Sequence, residues 1–76
     1  MTDEYSTKDL GEAGSLIVRK QSLLRIDRDG RICWFVFNNK DQCEKLSNEF
    51  FFGELLINAR DYYEALNRLK NRIFSQ

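Results

Sequence analysis

The side chains of this sequence that could act as nucleophiles are Ser15, Ser22 and Ser47 and the thiols of Cys33 and Cys43. Each needs a general base, and the commonest one, histidine, does not occur among the 76 residues. A Ser-His or Cys-His arrangement is therefore excluded. Asp27 and Asp29 make a carboxylate pair, but they adjoin Gly30, where a turn keeps them solvated. Asp27-Arg28-Asp29-Gly30 has the opening of a calcium loop, yet the twelve-residue ligand pattern does not follow. Two cysteines ten positions apart are too few and wrongly spaced for a zinc site. They read as reduced, small core residues, and a disulfide between them requires an oxidising compartment. The scattered glycines build no phosphate loop. The expectation is a protein with no catalytic residues, metal, cofactor or evident small-molecule substrate.

Recognition chemistry is better represented. Residues 31–37 are the densest apolar run, and Trp34 stands within it near several arginines. A Trp beside an Arg among aliphatic residues is the composition of an interface hot spot, and it is also able to stack a nucleic-acid base. Net charge is zero, with 12 basic and 12 acidic residues, which argues against general counterion-release binding to nucleic acid. The charge is unevenly distributed: residues 15–37 carry five basic against two acidic side chains, and residues 55–76 carry four against two.

A hairpin must position Trp34. Residues 22–28 and 31–37 are two runs rich in apolar, β-branched and aromatic types, separated by Asp29-Gly30. That dipeptide suits a type I′ turn, because both of its central residues need positive φ. The register would then set 28 opposite 31, 26 opposite 33, 24 opposite 35 and 22 opposite 37. Opposed residues share a face. One face would hold Leu24, Ile26, Cys33, Phe35 and Phe37; the other Leu23, Arg25, Asp27, Ile32, Trp34 and Val36. Arg25 would lie opposite Trp34, positioned for a cation–π contact, and the first helix is one candidate cover for this second face.

Helical elements surround the hairpin. Ser6 and Thr7 offer N-caps, and Leu10, Ala13, Gly14 and Ile17 follow at helical spacing; a strand over residues 15–19 competes with this helix. Gly11 and Gly14 weaken such a helix, for which close approach of another backbone is a reason. Asn39 and Gln42 resemble a capping box before Cys43, Leu46 and Phe50, with Gly53 as the C-cap. Phe50, Phe51 and Phe52 cannot share one stripe. Asn58 caps a last helix whose stripe is Tyr62, Ala65, Leu66, Leu69 and Ile73, and Glu64 and Arg68 are spaced to pair on its outer face. The fold class expected is α+β, a two-stranded antiparallel hairpin packed against three helices in the order α-β-β-α-α. Residues 1–5 would be a disordered tail and residues 6–76 one small domain. No signal peptide or transmembrane run is expected, which points to the cytoplasm.

The residues at 7–10 (TKDL), 28–37 (RDGRICWFVF) and 53–74 (GELLINARDYYEALNRLKNRIF) resemble a family of small phage and bacterial proteins catalogued as a domain of unknown function. The resemblance spans about residues 6–74. The sequence departs from that pattern at Gly11, where a larger side chain is expected, and in lacking a glycine near Lys20-Gln21 to end the first helix. The resemblance implies a bacterial cytoplasmic setting and transfers no site residues.

These observations lead to a non-enzymatic binding or regulatory protein. Its partner is another protein or a second copy of itself, met through Arg25, Arg28, Ile32 and Trp34, with Phe51 and Phe52 as a second patch. The alternative is nucleic-acid binding through the hairpin tip, Arg28 and Arg31, together with Arg60, Arg68, Lys70 and Arg72 of the last helix. No membrane association is expected.

Overall fold

A computed structural model describes residues 3–74. The elements are β1 (Glu4–Thr7), α1 (Leu10–Val18), β2 (Leu23–Asp29), β3 (Ile32–Asn38), α2 (Lys40–Phe51) and α3 (Ala59–Phe74). The class is α+β, but the sheet has three antiparallel strands in the order β1-β3-β2. The expected two-stranded hairpin thus gains a partner from the segment expected to be tail and helix cap. Tyr5 lies opposite Phe37 and Thr7 opposite Phe35. An isolated hairpin leaves both long edges unpaired, and β1 covers one of them. Of the expected tail at 1–5, positions 1 and 2 lie outside the described residues. Residues 15–19, where a strand competed, are helical through Val18.

The hairpin forms with a shifted turn. Asp29 pairs with Ile32, so the loop is Gly30-Arg31 rather than Asp29-Gly30. Of the two loop residues only Gly30 has positive φ, at 63°. A single positive φ at the first loop position matches a type II′ turn, and it assigns the left-handed conformation to the one residue without a Cβ. Ile26 now faces Phe35, Arg28 faces Cys33 and Arg25 faces Val36. This displaces the pairing by two residues, an even number, so each side chain before the bulge keeps its expected face. A bulge between Leu23 and Arg25 changes the rest: Leu23 takes the place opposite Phe37, and Leu24 is left 47% exposed.

Asp9 is the N-cap of α1, accepting from the Glu12 N–H at 2.9 Å. Thr7 instead accepts the Asp9 N–H across a tight turn. The helix ends in a Schellman motif, with Lys20 N–H donating to Ile17 O and Gln21 N–H to Leu16 O. Lys20, at φ 71°, occupies the left-handed position where glycine is usual. Asn39 caps α2 through the Gln42 N–H, and Gly53 closes it with the same motif, Glu54 N–H reaching Glu49 O at 2.8 Å. Asn58 accepts from the Arg60 and Asp61 N–H groups to start α3.

The core lies between one sheet face and the helices. Ala13, Leu16, Phe35, Phe37, Cys43, Leu46 and Leu69 are its buried members, flanked by Leu23, Ile26 and Ile73. The α1 glycines seat side chains, not a neighbouring backbone. A Cβ on Gly14 would meet Leu66 Cδ2 at 2.8 Å, and one on Gly11 would meet the Tyr62 hydroxyl at 3.0 Å. Tyr62 completes the contact by donating to the Gly11 carbonyl. Both thiols are free. No helix among the described residues is long and apolar enough to cross a membrane.

Candidate functional site

Alternation along the strands places Glu4, Ser6, Arg25, Asp27, Trp34 and Val36 together on the sheet face turned away from the core. No buried member of the core cluster comes from this side. α1 does not cover it; that helix packs on the opposite face through Ala13 and Leu16. Trp34 is half-buried, Ile32 is 41% exposed, and Val36 is buried although it stands outside the core cluster.

An ion-pair cluster accounts for Val36. Arg25 on one edge strand donates to both Glu4 carboxylate oxygens on the other, at 3.0 and 3.1 Å. It also donates through Nε to Asp27 at 3.1 Å. Spanning from β2 to β1 crosses two strand spacings, roughly 9–10 Å, so the arginine crosses β3 between Val36, which faces it, and Asn38, which faces Glu4. The hydrogen bonds from Arg25 hold the Glu4 carboxyl below its ordinary value. The expected pairing of Arg25 with Trp34 is corrected: Asp27 lies opposite Trp34, and Arg25 is committed to two carboxylates.

Arg28 is also relocated. Its position opposite Cys33 puts it on the core side, where it donates to the Ile73 carbonyl in the last turn of α3. A cation there satisfies an end carbonyl and complements the helix dipole. The hairpin tip is thereby tied to the end of α3. Beside it, Lys8 and Arg31 flank an open cleft of about 380 Å³. Leu10, Cys33, Phe35 and Ile73 line it, as does Ile32.

The remaining candidates are dispersed. Phe51 and Phe52 are 61% and 77% exposed at the end of α2, on the core side of the sheet rather than with Trp34. Phe51 packs edge-on to Phe50, with ring centroids 5.2 Å apart. Arg60 pairs with Glu64 at 3.5 Å, taking the partner expected for Arg68. Arg68 instead lines a second cleft, of about 250 Å³, with Lys20, Asp61 and Glu64. Lys70 and Arg72 are exposed on α3. The six basic residues therefore form no single patch: Arg28 and Arg31 gather at one end of α3, Arg60 at the other.

Sequence reasoning missed a buried polar cluster. Glu12 is 2% exposed and accepts from the Tyr5 hydroxyl at 2.6 Å and from the Thr7 hydroxyl. Ser47 Oγ lies 3.1 Å from Tyr5 Oη; because the tyrosine proton is engaged by the carboxylate, Ser47 is the donor to Tyr5. Burial first, then the adjacent carboxylate, pushes the Tyr5 phenol up to about 12. Burial and the Glu12 charge push the Cys43 thiol up to about 11, making it a poor nucleophile. The only signal was the alternation of Tyr5 and Thr7 before an acidic helix. The cluster lines neither cleft and fastens β1 to α1 and α2. No group of potential metal ligands occurs among the described residues.

A family model described as a domain of unknown function (DUF5659) matches residues 2–75. The chain belongs to this family. No curated protein and no solved structure matches it. For this DUF5659 domain, the clearest candidate surface is the open sheet face around Trp34 and Ile32, with the cleft that Ile32 also borders.

Proposed function

We propose that the chain is a non-enzymatic binding protein that recognises another protein through the sheet face bearing Trp34 and Ile32. The observation that carries this reading is one-sided packing. Helices bury the face of Phe35 and Phe37, while the opposite face keeps a half-buried Trp and an exposed Ile beside a hydrogen-bonded Arg-carboxylate cluster. A large aromatic next to a pre-ordered polar group needs little further ordering on association. The absence of histidine and the raised Cys43 thiol support a non-enzymatic role. The setting that goes with this reading is the bacterial cytoplasm, with the gene of bacterial or phage origin.

The test is affinity capture with wild type and Trp34→Ala side by side, followed by titration of the purified partner. Loss of about tenfold or more in affinity is expected for a hot-spot residue. Equal affinity of the two chains would end the proposal.

A second reading, nucleic-acid binding, draws support from the bond between Arg28 and the Ile73 carbonyl, which sets the hairpin tip beside the end of α3. Asp27 and Asp29 in the same hairpin and the zero net charge weigh against it. A gel-shift series with rising salt tests it, and a salt-independent result removes it.

A further inference from the structure

We infer that the segment recognised by this protein is acidic and carries one apolar side chain, which enters the cleft between Lys8, Arg31 and Ile73. The inference rests on the reading that the Trp34 face docks a protein, and it supplies the chemistry of the partner. Three observations carry it. The cleft has an apolar floor, Leu10, Phe35 and Ile73, of a size to take a side chain but too open to enclose a whole ligand. Ile32 belongs to both surfaces: it lines the cleft, and it shares the outward alternation of β3 with Trp34. β1 pairs with β3 only from Phe35 to Asn38, so one segment running round the β3 edge at residues 32–34 can touch the outward indole and reach the cleft on the inner side.

Charge decides the class of segment. Lys8 and Arg31 are exposed at the cleft, and neither has an ion pair among the described residues. Of the acidic side chains near the cleft, Asp9 is occupied at the N-cap of α1, and Asp29, opposite Ile32, is not part of the lining. A basic segment would meet two like charges, whereas an acidic one satisfies both cations and also gains on-rate from them.

The probe is a synthetic peptide of Asp and Glu residues around a central Leu, followed by amide chemical shifts of the protein. Two controls accompany it: Gly in place of Leu, and Lys in place of every acidic residue. The acidic Leu peptide is expected to shift Leu10, Cys33 and Ile73 together with the Trp34 indole. Lys8→Glu with Arg31→Glu, both surface changes, should weaken it about tenfold and improve binding of the Lys peptide. Equal binding of either control, unchanged affinity in the double variant, or no shift at the cleft overturns the inference. So does a concentration-dependent dimer that the double variant abolishes, since the occupant would then be a second copy. If Trp34-dependent capture persists while the acidic peptide leaves the cleft unmoved, only the partner chemistry fails.

Discussion

The two faces of the sheet draw alternate residues from the same three strands, yet they are stabilised by different means. The inner face holds Leu23, Ile26, Phe35 and Phe37 against the helices, with the Tyr5 and Thr7 hydroxyls bonded to a single buried carboxylate and Arg28 at its end bonded to the Ile73 carbonyl. The outer face holds Val36 beside an arginine that remains in water on its far side. Inner-face stability is therefore hydrophobic and depends on neutral hydroxyls. Outer-face order is ionic and sensitive to solvent conditions. A surface that is ordered but not committed to the core is free to exchange solvent for a partner.

The largest expected effect separates the faces by truncation. Phe37→Ala opens a cavity in a fully buried site and should cost about 3–5 kcal/mol. Trp34→Ala removes a larger ring yet should cost well under half of that, since Trp34 is only half-buried and stands outside the core cluster. Urea unfolding of both variants is the measurement. Comparable losses would mean that the outer face carries the fold as much as the inner one does.

Next in size is the carboxylate beneath β1. Glu12→Ala leaves the Thr7 hydroxyl donor unpaired, at roughly 1–3 kcal/mol, and leaves Tyr5 only Ser47 as an acceptor. Glu12→Gln keeps one acceptor oxygen and should lose about half as much. Hydrogen exchange at β1 amides should rise before that at β2, because only β1 is fastened by this group. Uniform loosening of all three strands would contradict the assignment.

How far these features were legible depended on whether local chemistry fixed them. Asn39, Gly53 and Asn58 act within a few residues of themselves, so the ends of α2 and the start of α3 were readable. The stripe of α3 repeats often enough to be unambiguous. β1 was not legible, since its partner lies about thirty residues away and no turn joins them; Ser6 and Thr7 carry the same hydroxyls that cap helices. The bulge was hidden because Leu23 and Leu24 are the same residue type, leaving either able to face inward. The expected missing glycine after the first helix proved informative: Lys20 takes up the left-handed position that a glycine would have filled. At the site, Trp34 and Ile32 were placed on the correct face. Arg28 was grouped with them although alternation with Ile26 sets it on the other face, and no local signal shows its bond to the end of α3, 45 residues away.

The inner face should fail in base. Tyr5 is raised from 10.0 to about 12 and Cys43 from 9.0 to about 11, both first by burial. A raised value means that the fold favours the protonated group. Its contribution is complete below the ordinary value and disappears as pH climbs through the folded one. Stability should therefore fall between about pH 9 and 12, and Tyr5→Phe should make the fall shallower, at some cost at neutral pH for the lost bond to Glu12. Denaturant midpoints across that range measure it.

The smallest expected effect belongs to the outer face and runs in the opposite direction. Glu4 is lowered from 4.5, chiefly by its hydrogen bonds from Arg25, so its contribution is present above that value and lost as pH falls below it. Glu4→Gln should abolish this acid-side slope while leaving the alkaline one intact. Because the pair is exposed, added salt should mimic the substitution in part. The more telling readout is Val36: when Arg25 lets go, its amide and methyl groups should become solvent-accessible with little change in global stability. If acid or salt loosened Phe37 as readily as Val36, the two faces would be one cooperative unit, and the outer one could not be remodelled by a partner without disturbing the core.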